Sequence, residues 1–303
     1  MHWGELLLEV VLMPLVAFVV GLLLVLMMRR TRARLERRIG PPFFQPLYDI
    51  IKLYGKEIQV SHGFIHDLGI IMVVGGYITV EMFLPVPGMT GLAEQGDLIA
   101  LVYLMMVPSL GMALGVGQCA NPNGSIGISR ALTSMLGYDI PFVLVVVAAA
   151  AMYGTTSLPE IIAIQQQGGV ATWGVAVMPV MALAGLITTH VMLSKEPFET
   201  YIAPAEIATG PMVEMGGKFM GGLFVVQTFQ VYTAGVLYTT LFLGGGTSWF
   251  EFLPKVFAVL FLPFAITVLF PRYKAGEGLL WVWKWPTGIA LLGLALIFMQ
   301  GSP

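Results

Sequence analysis

Runs of about 20 apolar residues recur from one end of this sequence to the other, and they leave the chain little choice of solvent. The first, "LLLEVVLMPLVAFVVGLLLVLMM", is typical. A bilayer core is about 30 Å thick, and a helix rising about 1.5 Å per residue crosses it in about 20 residues. The runs predict about eight spans, near 5–28, 64–84, 98–118, 131–153, 172–193, 217–243, 252–270 and 281–300. Charged residues make up 11% of the chain, too few to cover a soluble surface of this length. The expected fold is all-α: a polytopic membrane helical bundle, with 1–303 as a single transmembrane domain. The first run is too long for a signal-peptide core and lacks a basic start, so it reads as a retained helix.

The 15 Lys and Arg residues are distributed unevenly. Arg29, Arg30, Arg32, Arg34, Arg37, Arg38, Lys52 and Lys56 fall in the first loop, and Arg130 in the third. Lys195 and Lys218 bracket the fifth, and Arg272, Lys274 and Lys284 lie in the seventh. Lys255 alone falls on the other side. Positive charge marks cytoplasmic loops, so the odd loops are expected in the cytoplasm and both termini outside. A multi-pass protein of the cell (inner) membrane follows. No basic tail suggests nucleic acid as a partner.

One cysteine, Cys119, excludes an intrachain disulfide and an iron–sulfur cluster held by this chain alone. Of His2, His62, His66 and His190, His190 alone falls well inside a span, where it reads as a polar residue near a helix end. No redox cofactor is expected in the chain, and no metal site.

The loops carry the chemistry. The first, 29–60, opens on Arg34, Arg37 and Arg38, a cluster suited to anionic headgroups or an acidic partner. Pro41, Pro42 and Pro46 then force a turn. Leu47, Ile50, Ile51, Tyr54 and Ile58 share a helix with Asp49, Lys52 and Lys56 on another face, an amphipathic helix for the interface. In the third loop Arg130 is expected at a helix start. Asp139 then lies about 13 Å deeper, where an unpaired carboxylate costs about 2.5–3.5 kcal/mol. Glu81, late in the second span, raises the same issue. Both should have a partner, as buried polar residues satisfied by a neighbouring helix or as members of an ion path.

The fifth loop, 194–216, holds Glu196, Glu199, Glu206 and Glu214 among apolar residues. Pro204 is expected to open a short helix that ends at Gly210 and Pro211. With no local base except Lys195 and Lys218, the acids should repel, and some should keep protons near neutral pH. Such a row suits a proton path; a solvated acidic loop is the plainer alternative.

These residues carry a resemblance. "ERRIGPP" and "QPLYDIIKLYGKE" resemble the first-loop signature of the subunit 1 (H-type) membrane family of respiratory complex I, through Arg38, Gly40, Pro41, Gln45, Pro46, Asp49, Lys52, Leu53, Lys56 and Glu57. "SRALTSMLGYDIP" is similar to its third-loop segment, with Asp139 at a Glu position. The fifth loop is similar to its Pro-Phe-Asp run, with Glu199 at the Asp position and Glu206, Gly210 and Glu214 at later ones. "FPRYKAGEG" resembles its seventh-loop segment around Arg272. Ile202, Pro204 and Met215 depart from the quinone-using members. Within the family the chain looks similar to the anchor subunit of energy-converting (group 4) nickel–iron hydrogenases and their ferredoxin-dependent relatives.

The resemblance implies a non-catalytic anchor and coupling subunit of an oxidoreductase complex that pumps protons or sodium. It implies a hydrogenase-like large subunit and an iron–sulfur small subunit on the cytoplasmic loops, and antiporter-like membrane subunits beside the chain. Iron–sulfur clusters, and in the hydrogenase branch a nickel–iron site, would sit in those partners. Glu199, Glu206, Glu214, Asp139, Glu196 and Glu81 are the implied ion-path residues. Arg34, Arg37, Arg38, Asp49, Lys52, Lys56, Arg130 and Arg272 are the implied docking residues. The alternatives are a quinone-reducing complex I subunit, a sulfane-reductase-type subunit, a stand-alone ion transporter and a passive anchor.

Overall fold

In a computed structural model, which describes residues 3–58 and 63–300, the chain is a helical bundle. In chain order the helices are α1 (Trp3–Leu35), α2 (Gln45–Tyr54), α3 (Phe64–Met82), α4 (Leu98–Gly117), α5 (Pro122–Tyr153), α6 (Leu158–Gln167) and α7 (Gly174–Val177). They continue as α8 (Pro179–Met192), α9 (Pro204–Ile207), α10 (Gly217–Phe242), α11 (Trp249–Leu269), α12 (Ala275–Lys284) and α13 (Pro286–Gln300). His2 and His62 lie outside the described residues.

Among the described residues, 7 helices are long and apolar enough to cross a bilayer, with α12 and α13 forming one of them. The eighth expected span, 172–193, is split. Pro179 lacks an amide hydrogen and pushes the residue before it out of helical geometry. Met178 accordingly sits at φ −133° and ψ 64°, between α7 and α8. The 14 residues of α8 reach about 21 Å, short of a full crossing by themselves.

Two boundaries also differ from expectation. Helix α1 runs to Leu35, so Arg29 to Arg34 ride its last turns, where cations oppose the negative end of the helix dipole. Helix α5 starts at Pro122, capped by the Asn121 side chain on the Asn123 amide at 2.9 Å. Arg130 is therefore inside a helix rather than at its start. The nine-residue step to Asp139 stays on that helix.

Helix α10 is the axis of the bundle. Its most apolar window is 72% buried, against 28–44% for the other spans. It packs against α1, α3, α8 and α11. Helices α3 and α4 make the tightest pair: a β-carbon on Gly69 would lie 2.3 Å from the Gly115 nitrogen. The spacing Gly111–Gly115 thus marks a true backbone approach. At the spacing Gly217–Gly221, a β-carbon on Gly217 would lie 2.9 Å from the Glu57 oxygen, and one on Gly221 3.0 Å from the Tyr54 ring. Those glycines seat the end of α2 against α10.

At the end of the bundle away from the basic loops, α6 was not anticipated from the sequence. Its Gln165, fully buried, donates to the Thr240 and Leu241 carbonyls and accepts from the Gly174 and Gly244 amides. Lys255 closes the same end by donating to the Leu243 and Gly245 carbonyls at 2.9 and 3.0 Å.

Candidate functional site

The connections after α1, α4, α8 and α11 converge at one end of the bundle, held there by ion pairs between distant segments. Arg32 of α1 forks onto Glu196, with Nη1–Oε2 at 3.4 Å and Nη2–Oε1 at 3.2 Å. Arg272 approaches the same carboxylate at 3.6 Å and donates to Glu199 Oε2. Arg130 donates to Glu206 Oε2 at 2.7 Å and to the Thr200 carbonyl at 3.3 Å. The Tyr273 amide donates to the Pro197 carbonyl at 2.9 Å, which ties the last loop to the acidic turn.

This arrangement corrects the expectation that the acids of 194–216 face one another. Each of Glu196, Glu199 and Glu206 faces an arginine from another segment of the chain. Burial by itself would raise the Glu196 carboxyl. Its own backbone N–H, Arg32 and Arg272 outweigh that and hold it below the usual carboxylate range. Glu199 is buried at 8% exposure, yet it is paired. The short helix at Pro204 is present as α9, but Ala208, in left-handed geometry, ends it before Gly210 is reached.

Glu214 stands apart. It is partly buried beside Cys119, whose thiol is pushed up to about 11 by burial and by that carboxylate. It lines neither of the cavities described below.

The docking residues divide into two groups. Asp49 accepts from Arg29 at 3.3 Å and from Gln45 at 2.7 Å, which clamps α2 to α1. Arg38 donates to Glu36 through Nε at 2.8 Å, and two arginines, Arg32 and Arg38, hold the Glu36 carboxyl low. Arg34, Arg37, Lys52 and Lys56 are exposed and make no ion pair to any described residue. Exposed Ile39, Phe43, Phe44, Tyr48 and Ile51 surround them. Of the apolar residues expected on one face of α2, Ile50 is buried with Pro46, while Ile51 and Tyr54 are exposed alongside Tyr48.

Behind the ion pairs lies a cavity of about 310 Å³. Arg29, Ser194, Lys195 and Tyr201 line it at the loop end, and Tyr77, Ser109, Tyr138, Gln227 and Gln230 line it among the spans. Burial lowers the Lys195 ammonium from its ordinary value, against the pull of Glu199 and Glu196. Burial also pushes the Tyr201 hydroxyl up to about 12. A second cavity of about 30 Å³, room for about one water, shares the Tyr77, Tyr138 and Gln230 walls. Asp139 and Thr233 line it. Thr233 Oγ1 lies 2.5 Å from Glu81 Oε1.

The two intramembrane acids therefore belong to one polar route. Asp139 borders the small cavity and makes no hydrogen bond to any described residue, so the partner expected for it is not a neighbouring side chain. Glu81 is buried at 1% exposure, with one oxygen on Thr233 and Oε2 without a partner among the described residues. His66, near the start of the second expected span, is fully buried in the first turn of α3, its ring edge on Phe219 at 4.5 Å. His190 is buried against Phe198 at 5.6 Å.

Sequence reasoning missed the walls of the route: Lys195 and Arg29 as cavity residues, the tyrosines, and the pair Gln227 and Gln230. The glutamines carried a usable signal, since two amides three residues apart inside an apolar span share one helix face.

Comparison with known proteins places this geometry. Residues 8–298 match the family described as NADH dehydrogenase. The chain is 26% identical to the H-type subunit of the NADH-quinone oxidoreductase of Carboxydothermus hydrogenoformans, over 94% of this chain and 85% of that one. It is 28% identical to the corresponding NADH-quinone oxidoreductase chain of Anoxybacillus flavithermus, over 88% of this chain and 85% of that one. Among solved structures, it is similar to a chain of the membrane-bound sulfane sulfur reductase, an archaeal respiratory membrane complex, with 37% identity and a TM-score of 0.91. That match covers 97% of this chain and 99% of the other.

Proposed function

The chain belongs to the NADH dehydrogenase family, as a membrane subunit of a redox complex, and on that footing we propose that it is the coupling subunit of a redox-driven proton or sodium pump. Its basic loop end seats a hydrogenase-like large subunit and an iron–sulfur small subunit on the cytoplasmic side of the cell membrane. Antiporter-like subunits receive the ion path laterally. This chain holds no redox centre of its own in this reading; clusters, and a nickel–iron site in the hydrogenase branch, belong to the partners.

The observation that carries the reading is the wall shared by the two cavities. It connects the loop-end residues Ser194, Lys195 and Tyr201 to Asp139 and, through Thr233, to Glu81. A partner that moves Arg272 or Arg130 would shift the loop carrying Ser194, Lys195 and Tyr201, which are also cavity walls. Electron transfer in the partner then alters the polar environment seen by Asp139. A solitary carboxylate beside room for about one water can exchange a proton along such a route.

A second reading concerns the electron acceptor. The 37% identity to a chain of the sulfane sulfur reductase complex exceeds the 26–28% to the quinone-linked relatives. That difference supports a sulfur-compound-reducing arm as the rival to a hydrogen-evolving one, with a quinone acceptor third. The co-purified large subunit decides between the first two: cysteines able to hold nickel belong to the hydrogenase.

The coupling role is tested in the assembled complex with Asp139→Asn. Ions moved per electron should fall by at least half while the complex stays intact. Unchanged stoichiometry would reduce the chain to a passive anchor. Ion flux through the chain reconstituted alone would favour the stand-alone transporter.

A further inference from the structure

The larger cavity has a chemical character that the coupling route does not require. Its described lining includes two cations, Arg29 and Lys195, and no acid. The Lys195 side chain makes no hydrogen bond or ion pair to any described residue, although the residue is partly buried. Arg29 gives Nη1 to Asp49 at 3.3 Å, which leaves most of its five N–H donors uncommitted. Both cations lie at the loop end, Arg29 near the end of α1 and Lys195 just beyond α8. Met112, Ile128, Leu132, Met135 and Leu223 supply an apolar shaft, and Phe224 lies 5.9 Å from the Arg29 guanidinium. Tyr77, Ser109, Tyr138, Gln227 and Gln230 form the polar wall among the spans. At about 310 Å³ the space is at the lower end of small-molecule sites, which run about 300–1,000 Å³.

A site with two cations at its loop end and an apolar wall beside them is complementary to one kind of molecule. We propose that this cavity binds an anionic single-chain amphiphile of the fatty-acid type, its carboxylate on Lys195 and Arg29 and its chain against Met112, Leu132 and Met135. The anion supplies the contact ion pair that Lys195 lacks among the described residues. A neutral headgroup, including a quinone ring, would leave that ammonium without one. The chain displaces water from a cavity that otherwise joins the loop surface to the wall shared with the Asp139 cavity. The binding claim stands whether or not the chain couples redox chemistry to ion flow, because its readout is occupancy.

The test is equilibrium binding of tritiated palmitate to the intact complex in phosphatidylcholine nanodiscs. One site per copy of this chain is expected, with affinity reduced at least tenfold by Lys195→Gln and retained by Lys195→Arg. Hexadecanol, with the same chain and no charge, should not displace palmitate at equal concentration. Inorganic phosphate should not displace it either. Displacement by hexadecanol, or unchanged binding in Lys195→Gln, would overturn the role of the charge. Displacement by phosphate would overturn the role of the chain. Should Lys195→Gln fail to assemble, Leu132→Trp fills the apolar shaft with Lys195 intact, and palmitate binding that survives it would overturn the proposal. Stoichiometric binding of a short-chain quinone in a complex that takes no palmitate would do the same.

Discussion

Arg130 Nη1 donates to Glu206 Oε2 at 2.7 Å across 76 residues of sequence, joining the long fifth helix to the short helix of the acidic loop. The carboxylate is 62% exposed, so the pair contributes at most about 1 kcal/mol to stability. Its role is to fix position. Arg130→Gln should therefore leave the melting temperature within about 3 °C of the parent and lower the ions moved per electron. The reversed pair Arg130→Glu with Glu206→Arg should restore much of the coupling. Calorimetry and reconstituted flux check the two halves, and loss of stability without loss of coupling would contradict the assignment.

Glu196 gives a pH dependence with a definite sign. Its folded carboxyl is held below the ordinary value despite burial, through its own backbone N–H, Arg32 and Arg272. A depressed acid contributes stability that is present above its unfolded pKa, about 4.3, and is lost as pH falls through the folded value. The loop should be constant from pH 8 to about 5 and should become protease-sensitive in stronger acid. Glu196→Gln should show that sensitivity already at neutral pH. Limited proteolysis across the pH series measures both.

Thr233 is the described partner of a buried carboxyl. Thr233→Val leaves Glu81 unsatisfied on both oxygens and should cost about 1–3 kcal/mol. Adding Glu81→Leu to Thr233→Val should recover part of that loss while abolishing any coupling through the site. Denaturation in detergent reads the first effect and ion flux the second.

Gly69 and Gly75 lie on the same helix and predict opposite outcomes. A β-carbon on Gly69 would overlap the backbone of Gly115, whereas one on Gly75 meets nothing within 4 Å. Gly69→Ala should cost about 1–3 kcal/mol or more through forced separation of α3 and α4. Gly75→Ala should be neutral or slightly stabilising, since alanine is the better helix former. Yield and melting temperature of the purified complex distinguish them.

Cys119 should react slowly with maleimide. Burial, then Glu214, pushes its thiol up to about 11, and the thiolate is the nucleophile. Raising the pH from 7 to 9 should speed modification about tenfold per unit, because the thiolate fraction stays small throughout. Glu214→Gln removes one cause of the shift and should speed the reaction at every pH in that range. A rate independent of pH would contradict the assignment.

Much of the bundle was legible along the chain because the signal for a span is local. Twenty apolar residues need a bilayer whatever their neighbours do, and seven of the expected spans stand. The eighth is broken at Pro179 into α7 and the 14-residue α8, because a single backbone restriction interrupts the helix there. The ends of α1 and α5 were misplaced for a related reason: a helix can continue past the hydrocarbon edge once its polar residues find partners there, as Arg32 and Arg130 do. Helix α6 is short and only partly apolar, and what defines it is Gln165 in contact with backbone 75 residues away.

The sequence by itself determined the solvent, the helical class and the presence of acids in a loop and in two spans, because hydropathy and charge are properties of each residue. Only the tertiary structure decided what those acids do to one another. Glu196, Glu199 and Glu206 looked like a repelling row because the chain around them is poor in bases. Their partners, Arg32, Arg272 and Arg130, come from three other segments. Coulomb energy depends on separation in space, and separation along the chain carries no information about it once helices fold antiparallel. The same folding brings Asp139, Thr233 and Glu81, from three different helices, onto one polar route.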